Sequence, residues 1–430
     1  MYLLLFGLPL VIVFYSYIRH QRTVDKRNRV RYNEAKESGM TEPPSLHPVI
    51  NPGACIGCGS CVPACPEHAI GLINSKAVLV SPTKCIGHGA CEAACPVKGI
   101  KLVFGTEKRG MDIPQVNPEF ETNVPGIFIA GELGGMGLIR KTTEQGRQAM
   151  DVIAKRKGGK AAYDVVIIGA GPAGIAATLG AHEKGLRYVT IEQEDSLGGA
   201  VYHYPRNKLT MTAPVKLPMV GEIKMYDIRK EELLGMWNRV KNETGIRISF
   251  FERMEQIKTT DHGFIVTTSK GSYETTCVLL AIGRRGTPRK LGVPGEQQAK
   301  VVYRLIDAEQ YRGQHVLVVG GGDSALEAAI SLSEEPGTTV TLSYRSEAFG
   351  RVKQKNLENL QAAEAAKKMT VMLKSTVKEI SEESVTLDWE GNVSEIANQA
   401  IIVCAGGILP TPFLKEIGIM VETHHGKVVV

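Results

Sequence analysis

The sequence predicts an α/β chain built on two parallel-sheet units, with a small α+β module ahead of them. Three observations carry this. Two apolar, β-branched runs each open into a glycine-rich turn and a small-residue helix, at residues 163–174 and 315–325. Seven of the nine cysteines fall between Cys55 and Cys95, in two matching runs. The chain has 430 residues, 43% hydrophobic and 22% charged, which suits several packed domains and excludes a disordered chain or a multi-span membrane protein.

Residues 1–18, MYLLLFGLPLVIVFYSYI, carry no charge. As a helix they would reach about 27 Å, close to a bilayer core. Arg19, Arg22, Lys26, Arg27, Arg29 and Arg31 follow against one Asp25, a net of +5 that leaves only +1 of the chain's +6 for everything else. No nucleic-acid groove is therefore expected along the body. Positive charge resists translocation. The expectation is a transmembrane helix over 1–19 in the cytoplasmic membrane, single-pass, N-terminus outside and soluble body in the cytoplasm. A cleaved signal peptide would need a basic n-region and a small-x-small site, both missing here; a short helix packed on a partner is the other alternative. Residues 20–47 read as a basic juxtamembrane linker, ending in a polar stretch with a proline pair.

The cysteines read as cluster ligands, because a disulfide scaffold would be short and secreted. Cys55-Ile-Gly-Cys58-Gly-Ser-Cys61-Val-Pro-Ala-Cys65-Pro66 is C-x2-C-x2-C-x3-C-P. Cys85-Ile-Gly-His88-Gly-Ala-Cys91-Glu-Ala-Ala-Cys95-Pro96 repeats it thirty residues later. This spacing is far from that of zinc sites. Over residues 48–104 the pair resembles the dicluster bacterial-type ferredoxin, in which the fourth Cys of each run serves the other cluster. The resemblance implies one [4Fe-4S] cluster on Cys55, Cys58, Cys61 and Cys95, and a second taking Cys85, Cys91 and Cys65. His88 departs from the pattern at the second-Cys position. The second cluster is then [4Fe-4S] with a His ligand, or [3Fe-4S] with His88 nearby; a solvent-facing His88 without a role is the plain alternative.

In YDVVIIGAGPAG, Gly169, Gly171 and Gly174 permit a tight turn and close backbone approach to a pyrophosphate at a helix N-terminus. Glu192 ends the next strand, RYVTIE, where a carboxylate accepts from a ribose hydroxyl. Gly199 is counted with them as a cofactor-binding candidate. The second unit, HVLVVGGGDSALEAA, carries Gly320, Gly322 and Ala325. Its second strand ends at Tyr344 and Arg345, with Arg351 beyond. An arginine there suits a 2′-phosphate, so NADP is favoured and NAD left open.

Two Rossmann-like units, the second inserted in the first, resemble the thioredoxin-reductase-like flavoproteins over residues 111–430. The resemblance implies FAD on the first fingerprint and NAD(P)H on the second. That family carries a C-x-x-C pair just before the second fingerprint, and VVYRLIDAEQYRGQHVLVVGGG has none. Residues 202–214, YHYPRNKLTMTAP, look more like the ferredoxin–NADP-reductase and bacillithiol-disulfide-reductase branches; the latter has a Cys where this chain has Ala173. The family's flavin-closing motif, T-x-x-P-G-[VI]-[FY]-x-x-G-D, lies at its C-terminus. Here residues 122–132 carry it ahead of the fingerprint, with Gly131 and with Glu132 for the usual Asp. A circular permutation follows, with FAD-binding segments 111–290 and 414–430 around an NAD(P)-binding segment 291–413. Cys277 and Cys404 lie in apolar strands and read as small core residues.

The expected function is a membrane-anchored iron–sulfur flavoprotein oxidoreductase. It would pass electrons between NAD(P)H, FAD and two clusters, to or from a redox protein or membrane complex, with no side-chain general base required and a homodimer left open. The alternatives are a ferredoxin-linked reductase of a small disulfide or other small molecule, and a non-catalytic redox-sensing subunit.

Overall fold

The computed structural model describes residues 7–426, apart from 38–39, 44–45, 108–109, 136, 205, 207, 212–213, 225 and 351. Helix α1 spans Leu8–Glu37 without a break. Only Leu8–Ile18 of it is apolar, about 16 Å of helix. Among the described residues no helix is long and apolar enough to cross a membrane. The expected transmembrane anchor, its inside–outside orientation and its membrane localisation are therefore corrected; residues 1–6 of that run lie outside the described residues. Leu10, Val11, Ile12, Val13, Phe14 and Tyr15 are exposed.

The expected basic linker is corrected too, because residues 20–37 belong to α1 and are docked. Buried Asn28 donates from Nδ2 to the Leu72 carbonyl at 2.9 Å. Arg31 donates to the His68 carbonyl at 2.8 Å. Asp25 accepts from the Asn74 backbone at 2.6 Å and pairs with Arg29 one turn on. A run that reads as a topology signal is used here as hydrogen-bonding surface.

The cysteine module has a near two-fold plan. Strands β1 (His47–Ile50) and β4 (Ile100–Val103) pair antiparallel, His47 opposite Val103. Between them lie the hairpin β2 (Ile70–Ile73) and β3 (Lys76–Leu79), and the short helix α2 (Ala90–Ala93). Strand β5 (Met111–Pro114) follows, then β6 (Ile127–Ile129) and α3 (Ile139–Ile153).

The first large sheet forms around β7 (Tyr163–Ile168), which runs through the glycine turn into α4 (Pro172–Glu183) and returns as β8 (Tyr188–Ile191). Two short ladders follow, β9 (Leu209–Met211) with β12 (Asp227–Arg229) and β10 (Val215–Leu217) with β11 (Gly221–Ile223), before α5 (Lys230–Thr244). Strands β13 (Met254–Thr260), β14 (Gly263–Thr268) and β15 (Gly271–Leu280) complete the order β13-β14-β15-β7-β8. Where β14 ends, β6 pairs parallel with residues 278–280 of β15. Residues from ahead of the fingerprint thus supply a strand of its sheet. Phe128, Met150, Val165, Ile167, Ala177 and Cys277 share one buried core there.

A crossover ladder, β16 (Thr287–Pro288) with β25 (Gly407–Ile408), brackets the second unit. Its sheet is wholly parallel: β17 (Val301–Val302), β24 (Ala400–Val403), β18 (His315–Val319), β19 (Thr339–Tyr344) and β20 (Met369–Leu373) in that spatial order. Helices α6 (Asp323–Ser333) and α7 (Gln354–Ala365) accompany it, as does the antiparallel trio β21 (Ser375–Ile380), β22 (Ser384–Trp389) and β23 (Asn392–Ala397). Near-continuous apolar strands suit a sheet covered on both faces. After α8 (Thr411–Glu416), β26 (Val421–His424) pairs antiparallel with β5, bringing the end of the described chain back to the segment after the cysteine module.

Candidate functional site

The structure divides seven cysteines between two hollows, each offering about 340 Å³ of empty space with the open solvent at its mouth included. Cys55, Cys58, Cys61 and Cys95 line one, with Ile50, Ile100 and Val97. Cys65, Cys85, Cys91 and His88 line the other, with Pro48 and Leu102. Each cavity therefore draws its fourth Cys from the other run. Backbone N–H groups point at the sulfurs: Gly99 to Cys95 at 3.2 Å, Ala69 to Cys65 at 3.4 Å, Ala77 to Cys55 at 3.5 Å. Such donors tune cluster potential. Among the described residues no three His, Cys, Asp or Glu converge on a single-ion site. Rings of thiols around roomy, mostly apolar hollows fit a polynuclear cluster instead.

The backbone of the second run copies that of the first. Gly57 and Gly87 have φ of +74° and +77°, and Gly59 and Gly89 have +77° and +80°. A Cβ on Gly57 would sit 2.2 Å from the Ser75 carbonyl, and one on Gly87 2.7 Å from that of Leu46. His88 thus enters an otherwise unaltered ligand loop. Burial pushes the Cys61 and Cys85 thiols up to about 11, so holding bare thiolates there without a cation is costly.

The flavin site is tested by its cradle. Gly169 takes φ +104°, and a Cβ on Gly174 would fall 1.8 Å from its carbonyl. Gly171 N-caps α4, and a Cβ on Gly199 would come within 3.0 Å of its Cα. These glycines therefore leave the helix N-terminus open to a pyrophosphate. Glu192 is buried at the end of β8, its carboxylate accepting from the backbone of Ala170 (2.7 Å) and Glu194 (3.1 Å) above the turn. Gly131 lies against the same helix: its N–H donates to Gln145 Oε1 at 2.9 Å and a Cβ there would meet Ala173 at 3.1 Å. Glu132 follows at the mouth of the cleft, exposed by surface yet hemmed by protein, which raises its carboxyl pKa against the pull of Arg284.

Arg284, just past β15, escaped the sequence reading. Its Nη1 is buried with no hydrogen-bond partner among the described residues, and Glu132 and Asp112 are the carboxylates that act on it. A buried guanidinium nitrogen left open at the cleft is the kind of donor an anionic or carbonyl-bearing cofactor satisfies. Its only sequence signal is a charged pair directly after an apolar strand.

In the second unit Gly320 has φ +146°, Gly322 N-caps α6, and Ala325 takes the place that Gly174 has in the first. Tyr344 lies over the turn: a Cβ on Gly321 would strike its ring at 2.2 Å, and the ring stacks on Phe349 at 5.4 Å. Arg345 is exposed at the end of β19; Arg351 lies outside the described residues. Between the units, His203 meets Arg304, Lys208 pairs with Glu327 at 2.6 Å and Arg206 with Asp307 at 3.3 Å. Burial, then Arg304, Arg285 and Lys230, holds the His203 pKa down at about 4.

A family model described as pyridine nucleotide-disulphide oxidoreductase matches residues 166–430. The chain belongs to that family. A 4Fe-4S dicluster domain model matches residues 47–96. The protein is an FAD-dependent NAD(P)H oxidoreductase with an iron–sulfur domain ahead of the flavoprotein. Its relatives include bacilliredoxin reductase Bdr of Bacillus subtilis, 26% identical over 269 residues, which cover 61% of this chain and 82% of the relative. Ferredoxin–NADP reductase of Picrophilus torridus is 29% identical over 279 residues, covering 62% and 80%. Among solved structures, bacillithiol disulfide reductase Bdr from Bacillus cereus is 26% identical with a TM-score of 0.54, covering 60% of this chain and 81% of its own. The Staphylococcus aureus form gives 27%, 0.53, 60% and 80%.

Proposed function

We propose that this family member passes electrons between NADPH, FAD and two iron–sulfur clusters, to or from a separate one-electron redox protein. The observation that carries this is physical continuity. Phe104 directly follows strand β4 of the cysteine module, and a Cβ on Gly135, three residues beyond Glu132, would come within 2.6 Å of the Phe104 ring. Cluster cavities and flavin cleft therefore share one packed junction. FAD supplies the conversion between two-electron hydride chemistry and one-electron transfer. Gly169, Gly171, Gly174 and Gly199 leave room for its pyrophosphate, Glu192 takes a ribose hydroxyl, and Glu132, after Gly131 and beside Arg284, takes ribityl or pyrophosphate-side groups. Gly320, Gly322 and Ala325 shape the nucleotide turn of the second unit, and Arg345 draws the 2′-phosphate that distinguishes NADPH.

A circular permutation accounts for the order of parts, with FAD-binding segments 111–290 and 414–430 around an NAD(P)-binding segment 291–413. Its support is β6 in the sheet of β7 and the β5–β26 pairing. The second cluster takes His88 as a ligand, because His88 lines the same cavity as Cys65, Cys85 and Cys91. The relatives named ferredoxin–NADP reductase favour a ferredoxin-like protein as the exchange partner.

Anaerobic stopped-flow mixing with NADPH and, separately, NADH tests the reading. Flavin bleaching followed by cluster bleaching, faster with NADPH, is expected. A flavin unreactive to both nucleotides overturns it.

A further inference from the structure

We infer that the two cluster cavities have different stations: the His88 cavity is the flavin-side relay and the Cys58 cavity is the partner-side outlet. The inference rests on the electron-transfer function proposed above and orders its steps. It comes from the register of two strands. Because β1 and β4 pair antiparallel, Pro48 lies opposite Leu102 at one end and Ile50 opposite Ile100 at the other. Pro48 and Leu102 line the His88 cavity; Ile50 and Ile100 line the Cys58 cavity. Phe104, which packs on the flavin cleft at Gly135, is two residues from Leu102 and four from Ile100. At strand rise these are about 7 Å and about 13 Å.

Burial agrees. Cys85 and Cys91 are buried, and the chain entering β1 covers their loop: the Leu46 carbonyl lies 4.0 Å from Cys85 Sγ, and Leu46 and His47 are themselves buried. In the other cavity Cys58 is exposed, and neighbouring Ile56 keeps 66% of its surface in solvent. Cys61 of the same cavity is buried and Cys65 of the other is only partly so, so the difference between the cavities lies at the Cys58 and Ile56 edge, which meets solvent. The sequence departs from four cysteines only at the cavity nearer Phe104, where an imidazole ligand raises cluster potential.

Reduced flavin gives up two electrons one at a time and releases its proton to solvent. Each electron enters at the His88 cavity, moves to the Cys58 cavity and leaves to a one-electron acceptor protein; the same stations run in reverse for a one-electron donor.

The test uses the full chain with flavin and clusters loaded, as His88→Cys and Cys58→Ser, with EPR to identify which cluster signal each variant alters. The flavin is reduced in a flash by light with a sacrificial donor, and its re-oxidation by the clusters is followed by the return of oxidised-flavin absorbance. His88→Cys is expected to slow this internal phase several-fold, and Cys58→Ser to leave it unchanged while slowing delivery to ferricytochrome c. The reverse pattern, or equal effects of both variants, overturns the order. In the unsubstituted protein, ferricyanide is expected to remove iron from the Cys58 cavity first; earlier loss from the His88 cavity overturns it even where a variant fails to load. Photoreduction bypasses NADPH, so an enzyme inert to NADPH sinks the proposed function without hiding this result.

Discussion

His203 shows how a single side chain reports on the junction between the nucleotide units. Burial, with its side chain only 9% exposed, and the cations Arg304, Arg285 and Lys230 outweigh Glu194 at 3.5 Å and Asp195, so it is neutral in the fold with a pKa of about 4. In the unfolded chain it titrates near 6.5. The folded pKa is depressed, so the unfolded state binds the extra proton between these values. Stability is therefore unaffected above pH 6.5 and falls by roughly 1.4 kcal/mol per pH unit as pH drops toward 4. Denaturant unfolding of wild type and His203→Gln across pH 4.5–7.5 should show the variant with the shallower acid loss; parallel curves would refute the assignment. Gly174 makes an even simpler case. A Cβ there would lie 1.8 Å from the Gly169 carbonyl, so Gly174→Ala must deform the turn. Overpacking costs roughly 1–3 kcal/mol, and purified Gly174→Ala should contain far less FAD than wild type. Arg345→Ser should raise KM for NADPH and leave KM for NADH nearly unchanged, measured by steady-state oxidation of each.

At the scale of elements, α3 is the piece whose place the sequence order obscures. Gly146 lets it press on α4: a Cβ there would sit 2.1 Å from the Ala173 carbonyl. The β5–β26 clasp then closes the same region. Asp112 accepts from Thr423 Oγ1 at 2.7 Å and Thr411 Oγ1 at 3.2 Å, while the Asn123 amide bridges the Gly418 carbonyl and the Met420 N–H. At about 1 kcal/mol per net bond, Asp112→Ala should cost about 1–2 kcal/mol. Limited proteolysis should cut it faster within residues 411–426 than elsewhere; an unchanged digestion pattern counts against a structural clasp.

For the whole molecule, three parts must stay joined while nucleotide and flavin approach. Among the described residues the two nucleotide units meet through His203–Arg304 and through partly exposed pairs such as Lys208–Glu327, at 27% and 21% side-chain exposure. A partly exposed pair such as Lys208–Glu327 contributes less than about 1 kcal/mol. Lys208→Met should therefore leave the thermal midpoint nearly unchanged while altering the rate of flavin reduction by NADPH, read by stopped flow. A large drop in midpoint would mean the pair is structural. The cysteine module is tied differently, by the Phe104–Gly135 packing and by the Gly426 N–H donating to the Phe104 carbonyl at 2.9 Å.

By itself the sequence determined the chemistry that depends on local spacing. The C-x2-C-x2-C-x3-C-P runs, the Gly169–Gly174 and Gly320–Ala325 turns and the carboxylate of Glu192 are set within one loop or one strand–turn–helix unit, so their geometry follows from residue type. Tertiary structure decided what depends on distant partners. Uncharged residues followed by a basic cluster read as a membrane span. Yet the cluster belongs to a helix whose Asn28 and Arg31 bond to carbonyls some forty residues away, which no local pattern encodes. Arg284 became a candidate for the same reason: its significance is a buried, unmatched nitrogen near Glu132, a property of folded surroundings. The difference between the two cavities was also invisible, since the runs are near copies and only the β1–β4 register sets Leu102 of one cavity nearer to Phe104 than Ile100 of the other.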